Sequence, residues 1–576
     1  MIKWIRVNTR EGSVRTKACS EQELQWGGRN LIAKVLLREV PPACDPIGRY
    51  NKLILAGGLL GETTLTTAGR LSIGGKSPLT GGVKESNVGG DVGRKMARLG
   101  IRAVIIEDAP DVLTPKVLYI GKKESSLLPV PELAGLAVSD TFGRLRQRYG
   151  EDVGIMCIGP AGEMRLSAAL VAVHGAASEQ TRMAGRGGLG AVMGAKGIKA
   201  VVFDDRDAKP EKAYDSNLMR DVSKDFSQIL LADPKTENRH NFGTPAVLGL
   251  CNELGILPTR NFSAGRFERA DNISGEAIAN LIKARGGDAR RGLPCVKGCV
   301  IRCSNIFADP NGRKTVASIQ YENIALLGSN LDIGEVDDVA ELNDLCNDVG
   351  VDAIEAGAAI GVAMEAGVLP FGDAKGAKDI LSQIGRGTPL GRIIGSGVCI
   401  TGKVFGMRRV PAVKGQAIPA YDPRALKGIG VTYVMSPMGA DHTAGNALET
   451  VGAVNPLGTE GQIEISRRLQ LRAAIIDSLG LCLFVRPAFV KDISLFGRML
   501  KARYGWDWTY EDVQKMGAAC LEDERMFNEK AGVSEDFFQI PEFMRDEPLP
   551  PRNTVFDVSL EQMKKIWDVQ PPDNQF

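Results

Sequence analysis

Short apolar or alternating runs mark the first 205 positions. Residues 2–7, 52–56, 103–107, 116–120 and 200–204 are such runs, bounded by turn formers, and each predicts a β-strand. Residues 71–90 are rich in Gly and Ser and read as loop. From about Lys212 the apolar spacing lengthens to that of helices, over 213–231, 246–254, 274–284, 336–349 and 353–366. A Gly/Pro-rich stretch, 414–441, precedes further helical spacing at 462–479, 492–504 and 510–529. The Pro-rich tail, 546–576, carries one short helix at 560–567. Strands first and helices afterwards predict an α+β protein.

No short-period repeat is visible, but two segments echo each other. Asn347-Asp-Val-Gly-Val-Asp352 and Asp477-Ser-Leu-Gly-Leu-Cys482 both run acid or amide, two residues, Gly, aliphatic, then Asp or Cys. Each follows a helical stretch, so a C-cap accounts for the Gly. It does not account for the flanking acids, and two equivalent sites for two equivalent groups is the sharper reading.

Composition narrows the classes. The chain has 576 residues, 44% hydrophobic and 24% charged, as in ordinary globular proteins of several domains. Its 71 basic and 69 acidic residues leave a net charge of +2, which argues against a chain built to bind nucleic acid. There are 68 glycines, more than usual, which suits backbone packed close to a large cofactor. The N-terminus lacks the apolar region of a secretory signal, and no run of about 18 apolar residues predicts a membrane span. With 11 sparse cysteines and no signal, a reducing cytoplasm is expected.

Four of those cysteines carry chemistry. Cys295, Cys299 and Cys303 lie in Leu293-Pro-Cys-Val-Lys-Gly-Cys-Val-Ile-Arg-Cys-Ser304, and Cys482 ends the second echo segment. Three close thiolates and one distant one suit a [4Fe–4S] cluster, whose irons need four soft anionic ligands. Four thiolates also suit zinc, although zinc more often takes two Cys-x₂-Cys pairs. A radical adenosylmethionine site has a Cys-x₃-Cys-x₂-Cys spacing that this chain lacks. The remaining seven cysteines read as small core hydrophobes.

Gly185-Arg-Gly-Gly-Leu-Gly190 fits the dinucleotide pattern G-x-G-x-x-G, with Asp204 further on. That fingerprint needs a strand before its first Gly, and 175–184 shows no strand texture. A phosphate site made by Arg182, Arg186 and loop amides is kept instead. Only His174, His240 and His442 occur. His442 sits in a Pro/Gly loop where a functional role competes evenly with a structural one, and Glu322 is undecided on residue chemistry alone.

Together these segments resemble the tungsten-dependent aldehyde:ferredoxin oxidoreductase family. The resemblance runs from Ile2 to about Val555. It rests on Lys76-Ser-Pro-Leu-Thr-Gly-Gly82, Ala184-Gly-Arg-Gly-Gly-Leu-Gly-Ala-Val-Met-Gly194, the cysteine triad, Tyr321-Glu322, Pro419-Ala-Tyr-Asp-Pro-Arg424, Met438-Gly-Ala-Asp-His442 and the second echo segment. It implies a β-rich domain, 1–208, as the base for two pterin cofactors. Two mostly helical domains follow, 209–411 with the triad and 412–576 with His442 and Cys482.

The resemblance also implies a tungsten or molybdenum bis-molybdopterin, whose metal is held by pterin sulfurs. One pterin falls to Asn347, Val351 and Asp352, the other to Asp477 and Leu481. Arg70, Gly89, Gly185 and Arg186 match further cofactor contacts. A Mg²⁺ between pterin phosphates would take the backbone carbonyls of Asn87 and Ala184. Cys295, Cys299, Cys303 and Cys482 match the cluster ligands, and Glu322 and His442 the acid–base pair.

Three departures stand out. The first cysteine gap is one residue longer than the family's Cys-x₂-Cys. Asn347 stands where Asp is common. Glu341-Leu-Asn-Asp344 lacks the His of a dimer-bridging iron site, so no such iron is expected.

The expected activity is oxidation of an aldehyde to a carboxylate, or the reverse, with electrons passing through the cluster to ferredoxin or a small ferredoxin-like subunit. A homodimer or hetero-oligomer fits either arrangement. Two alternatives stay open: the catalytic subunit of an aromatic-thioester ring reductase of the benzoyl-CoA type, and a non-catalytic iron–sulfur relay.

Overall fold

Alternation along the strands decides how the first third of the chain folds. The computed structural model describes residues 2–175, 180–533 and 539–569. Six strands build one sheet: β1 (Lys3–Asn8), β2 (Ser13–Ala18), β3 (Leu53–Gly57), β4 (Leu71–Lys76), β5 (Val83–Val88) and β6 (Ile101–Glu107). Six more build a second: β7 (Lys116–Gly121), β8 (Ser125–Pro129), β9 (Gly154–Cys157), β10 (Val171–His174), β11 (Thr181–Ala184) and β12 (Ile198–Asp204). The orders are β2-β1-β6-β3-β4-β5 and β11-β10-β9-β12-β7-β8. Reversed, the second order is the first with six added to every strand number. Orientation repeats too: β1/β6 and β7/β12 are parallel, and the other neighbours antiparallel. The N-terminal region is thus an internal duplication in fold.

Successive residues on a strand face opposite sides. Ile5, Val7, Leu53, Leu55, Val104 and Ile106 share a core with Met156, Val171, Val173, Val201 and Phe203, so the sheets pack face to face. The alternate residues Trp4, Ile54, Ala56, Ala103 and Ile105 pack on helix Gly28–Glu39. Val117, Ile155, Ala200 and Val202 do the same on helix Val138–Tyr149. The result is four layers: helix, sheet, sheet, helix.

The five expected strands are present, with ends shifted by one or two residues. The expected loop at 71–90 is instead the hairpin β4–β5. Its glycines are required by packing. A Cβ on Gly74 would lie 2.3 Å from Ile32 Cγ2, and one on Gly75 would lie 2.6 Å from the Lys52 carbonyl oxygen. Here Gly marks a strand pressed against a helix, and the turn-former reading was mistaken.

The rest of the chain is mostly helical, as expected. Helices Val336–Val349, Ala353–Glu365, Gln462–Leu479 and Tyr510–Lys530 match their apolar spacing closely. Helices Gly28–Glu39, Val138–Tyr149 and Ala374–Arg386 were not foreseen. Among the described residues, no single helix is long and apolar enough to cross a membrane.

A buried ion pair ties the ends of the chain together. Arg29, 1% exposed, donates Nε to Glu524 Oε1 at 2.8 Å and Nη2 to Oε2 at 2.9 Å. Arg29 Nη1 also lies 3.7 Å from Asp477 Oδ2. Removing one partner of a buried pair strands the other charge, which costs more than the pair contributes net. Glu524→Gln is therefore expected to destabilise by about 3 kcal/mol or more, and Arg29→Met/Glu524→Leu to recover most of that. Thermal melts followed by circular dichroism check this; a double variant no better than Glu524→Gln would refute it.

Candidate functional site

The two echo segments occupy equivalent places in the duplicated fold. Helix Val336–Val349 ends at Gly350, φ +80°, and helix Gln462–Leu479 at Gly480, φ +75°. Both are left-handed C-caps, where Gly has no Cβ to strain. Leu170 N donates to Gly350 O at 2.9 Å and Asp352 N to Ala168 O at 2.9 Å, which docks the first segment on the second sheet. Leu59 N donates to Ser478 O at 3.1 Å, Leu60 N to Leu479 O at 3.0 Å and Arg70 N to Gly480 O at 3.2 Å, which docks the second segment on the first sheet. In each sheet the contact point is the Gly just beyond β3 or β9. A Cβ on Gly58 would lie 2.2 Å from Gly480 Cα, and one on Gly159 would lie 2.6 Å from the Val349 carbonyl oxygen. Val351 and Leu481 are fully buried, and Asn347 is half-buried on the last turn of its helix.

Each segment keeps one acid, buried Asp352 and half-buried Asp477, against an arginine of the N-terminal region. Asp352 Oδ2 is 3.4 Å from Arg186 Nε, and its Oδ1 caps the next helix at Ile354 N, 3.2 Å. Asp477 faces Arg29. Burial outweighs Arg29 and Arg70 and lifts the Asp477 carboxyl to about 6.

The glycine-rich strand ends meet along a seam between the sheets, where edge strands β5 and β11 come into contact. Asn87 and Gly89 stand at the end of β5, and Ala184, Gly185 and Arg186 at the end of β11. A Cβ on Gly185 would meet Asp352 Oδ1 at 3.2 Å; one on Gly89 would meet Cys295 Sγ at 3.2 Å and Arg70 Nη1 at 3.4 Å. Arg70 donates Nε to Asn87 Oδ1, Nη2 to Asn87 O at 3.3 Å and Nη1 to Cys295 Sγ at 3.9 Å.

Two expectations need correction here. A strand, β11, does precede Gly185, and helix Leu189–Ala195 follows, so the missing-strand argument against a dinucleotide site fails. Of 175–184, residues 176–179 lie outside the described residues. The topology still differs from a βαβ unit, because β11 is an edge strand and β12 is not its neighbour. Nor do Arg182 and Arg186 converge on one anion. Arg182 donates to Ser318 Oγ at 3.2 Å and to Ser304 Oγ, whereas Arg186 donates Nη2 to Ala417 O at 2.6 Å and Nη1 to Ala440 O.

The fold brings the four cysteines into one cluster. Cys295, Cys299 and Cys482 are buried in one apolar cluster with Leu59, Leu60 and Leu481, and Cys303 packs against it. Burial first, then the neighbouring thiols Cys295 and Cys482, pushes Cys299 up to about 12; Cys303 and Cys482 move the same way. Among the described residues, no three His, Cys, Asp or Glu side chains gather tightly enough for a single ion. Zinc draws its thiolates to about 2.3 Å from one centre. Four irons in one cube need their thiolates spread further apart.

Glu322 and His442 are brought face to face from opposite parts of the helical region. Glu322 sits in the first turn of helix Tyr321–Leu327, held by a capping box between Gln320 and Asn323. Its Oε2 accepts from Ala420 N at 2.9 Å, and its Oε1 lies 3.3 Å from His442 Nε2. Burial raises the Glu322 carboxyl above its usual range, against the pull of His442 and Arg186. Neither Glu322 Oε1 nor His442 Nδ1 has a hydrogen-bond partner among the described residues. Tyr421 forms one wall, its ring 6.0 Å from His442 and 5.2 Å from Tyr321.

The residue that anchors this corner escaped sequence reasoning. Lys84, fully buried on β5, pairs with Asp441 Oδ2. Burial opposes the Asp441 charge, but Lys84, Arg186 and His442 overcome it and hold the carboxyl well below the ordinary range. Asp441 Oδ1 accepts from Thr443 N at 2.9 Å, so the strand fixes the backbone that carries His442. A lysine inside a Gly/Ser stretch gives no sign of a buried strand.

One group of four thiols and, separately, a facing carboxylate–imidazole pair suit electron and proton chemistry respectively. Comparison with known proteins agrees. The family model "Aldehyde ferredoxin oxidoreductase, N-terminal domain" matches residues 4–205, and "Aldehyde ferredoxin oxidoreductase, domains 2 & 3" matches 221–567. The chain is 32% identical to the tungsten-containing aldehyde ferredoxin oxidoreductase of Pyrococcus abyssi and 31% identical to that of Pyrococcus horikoshii, over 95% of its own length and 92% of theirs. Its fold is similar to a chain of the active site complex BamBC of benzoyl coenzyme A reductase in complex with 1,5-dienoyl-CoA, with TM-score 0.80, 18% identity, and 98% and 92% coverage of the two chains. The protein belongs to the aldehyde ferredoxin oxidoreductase family and is an oxidoreductase.

The docking glycines generate a stability test. Gly350→Ala and Gly480→Ala place a Cβ at positive φ within 2.8 Å of facing backbone, so each is expected to lower stability by more than about 1–2 kcal/mol. Gly143→Ala, inside helix Val138–Tyr149 with nothing within 4 Å, is expected to stabilise by about 0.5–1 kcal/mol. Melting temperatures check both signs; equal shifts for all three would refute the docking argument.

Proposed function

We propose that this protein is a tungstopterin oxidoreductase that oxidises an aldehyde to a carboxylate, releasing two electrons to a one-electron carrier such as ferredoxin. The observation that carries this reading is the Glu322–His442 pair, 3.3 Å apart and half-buried, with Glu322 Oε1 and His442 Nδ1 left without a hydrogen-bond partner among the described residues.

The residues fit a large anionic cofactor. Gly89 and Gly185 leave room that a Cβ would fill; the Arg70 guanidinium stands beside the first, and Asp352, partner of Arg186, beside the second. In this reading Asn347, Val351 and Asp352 hold one pterin and Asp477 and Leu481 the other, with Arg70, Gly89, Gly185 and Arg186 completing the cradle. Backbone carbonyls of Asn87 and Ala184 hold Mg²⁺. The Asn87 carbonyl already accepts from Arg70, and its second lone pair remains for the ion. Cys295, Cys299, Cys303 and Cys482 hold the [4Fe–4S] cluster. When bound, the pterin-held metal supplies a two-electron acceptor, and the cluster sends those electrons out singly.

The chain's own residues handle the protons. The overall change is RCHO + H₂O → RCOOH + 2 H⁺ + 2 e⁻. Glu322, as carboxylate, takes a proton from the water that adds to the aldehyde carbon. His442 presents a ring N–H to the aldehyde oxygen and exchanges protons with Glu322 through Nε2. The Lys84–Asp441 pair keeps that imidazole in place. The aryl wall of Tyr321 and Tyr421 limits water access. Similarity to the aldehyde oxidoreductases exceeds that to the ring-reductase chain, 32% against 18%, and favours the aldehyde reaction. Eleven unpaired cysteines support a reducing compartment. The division at 208 follows β12, and the parts 209–411 and 412–576 supply the two sides of the Glu322–His442 pair.

Glu322→Gln and His442→Asn keep shape and remove proton transfer, so aldehyde oxidation with a viologen dye should fall on the order of 10²-fold while metal content stays. Near-normal turnover in either would remove that residue from the mechanism. Because burial raises the Glu322 carboxyl, its base form is lost as pH falls through a value above the ordinary 4.5. Log kcat/KM should therefore decline on the acid side from that higher pKa, and Glu322→Gln should abolish the limb. Cys482→Ser removes a soft ligand; iron below four per chain with loss of the reduced-state paramagnetic signal is expected, and four retained irons would refute the assignment.

A further inference from the structure

The lengthened gap in the cysteine triad is an outward bulge. Val296-Lys297-Gly298 fills it. Val296 is buried, whereas Lys297 and Gly298 are exposed. Gly298 has φ +81°, and nothing lies within 4 Å of where its Cβ would be. The extra residue has therefore gone into solvent and has left the positions of Cys295 and Cys299 buried. Its tip carries a lysine.

That lysine belongs to a charge run unlike the rest of the chain. From 289 to 308 there are four cations, Arg290, Arg291, Lys297 and Arg302, and no acid, in a protein whose net charge is only +2. All four are exposed. Arg302 is held by its Nε bond to Gly292 O at 2.7 Å, and Arg291 by Nη1 to Asn241 O at 3.3 Å. Asp91 lies near enough to feel the charge of Lys297, together with Lys95, Arg94 and Asp205. Beside the same loop, Arg239 stacks 4.2 Å over Phe484, two residues beyond Cys482. The half-buried Cys303 lies within this rim.

We propose that the bulge and its cationic rim, Lys297 with Arg291 and Arg302, form the docking surface for a small acidic electron-carrier protein. The proposal rests on the reading that the four cysteines hold the electron-exit cluster. Rim charges act on encounter and register more than on burial, and salt screens them over about 8–10 Å. Each docking passes one electron, oxidising the enzyme by one and reducing the carrier by one, so two dockings complete each aldehyde oxidised.

The test uses the purified holoenzyme, an acidic ferredoxin and benzyl viologen, which is small and cationic and needs no such surface. Lys297→Glu/Arg291→Glu is expected to weaken ferredoxin binding measured by titration calorimetry, and to raise its KM, by about tenfold or more. Viologen-coupled kcat and iron content should stay within twofold of the parent. Raising salt from about 50 to 300 mM should weaken binding to the parent and much less to the variant. Lys297→Arg should bind as the parent does. Unchanged ferredoxin affinity in the double reversal, or tight binding insensitive to salt as for a permanent subunit, would overturn the proposal. If iron is lost from the double variant, Lys297→Glu alone, at the solvent-exposed tip, carries the same expectation. Calorimetry reads docking without turnover, so failure of aldehyde oxidation itself would count against the proposed function and leave this surface separately testable.

Discussion

Everything in this site hangs on backbone meeting backbone at two places. Gly480 lies against Gly58, and Gly350 against Gly159, closer than any side chain permits. Strands β3 and β9 occupy the same position in two sheets of one topology, so the two helix ends are held at equivalent points. Main-chain hydrogen bonds from 58–60 and 168–170 then fix the register of each segment. Side chains carried by those segments inherit the precision of the sheets, which loops alone would lack.

Around that frame, opposite charges are buried in pairs from distant parts of the chain. Arg29 meets Glu524, Lys84 meets Asp441, and Arg186 reaches Asp352 while bonding the carbonyls of Ala417 and Ala440. Replacing such pairs by apolar residues is often neutral for stability, so their worth lies elsewhere. Each arginine or lysine comes from the β-rich region and each acid from the helical region. The pairs set where the helical layers sit on the sheets and so aim His442 at Glu322. A buried pair also fixes charge state: Asp441 stays ionised beside an imidazole whose role depends on its own proton.

Much of this was legible in the sequence, and the limits have physical causes. Helices such as Gln462–Leu479 announce themselves by period, and the cysteines by softness and number. The echo of 347–352 and 477–482 pointed to paired sites before any fold was known, because a C-cap Gly flanked by acids is more than a cap needs. What stayed hidden was the duplication behind the echo, since strand order is a property of pairing and leaves no local mark. The β4–β5 hairpin was hidden because Gly74 and Gly75 are there for close packing, and Gly in a string reads as turn. Arg29, Lys84 and Glu524 were hidden because a buried ion looks like a surface ion until its partner, hundreds of residues away, is known.

The duplication also explains how two equivalent frames come to do unequal work. The last residue of each echo segment opens a new helical turn. In the first segment that residue is Asp352, whose Oδ1 caps Ile354 N at 3.2 Å, an ordinary use of a carboxylate at an N-cap. In the second it is Cys482, which heads the short turn Leu483–Val485 without a side-chain cap. A thiol is a weak acceptor, so Phe484 N–H, the counterpart of Ile354 N–H, meets Cys482 Sγ only weakly, and the side chain lies in one cluster with Cys295, Cys299 and Cys303. The missing cap is tolerable because the turn is only three residues long and is packed in the same apolar cluster through Val485. One substitution at one equivalent position thus makes a near-symmetric base asymmetric. It gathers four cysteines on the side of the first sheet, where Arg70 Nη1 lies 3.9 Å from Cys295 Sγ, and leaves the Asp352 side to Arg186.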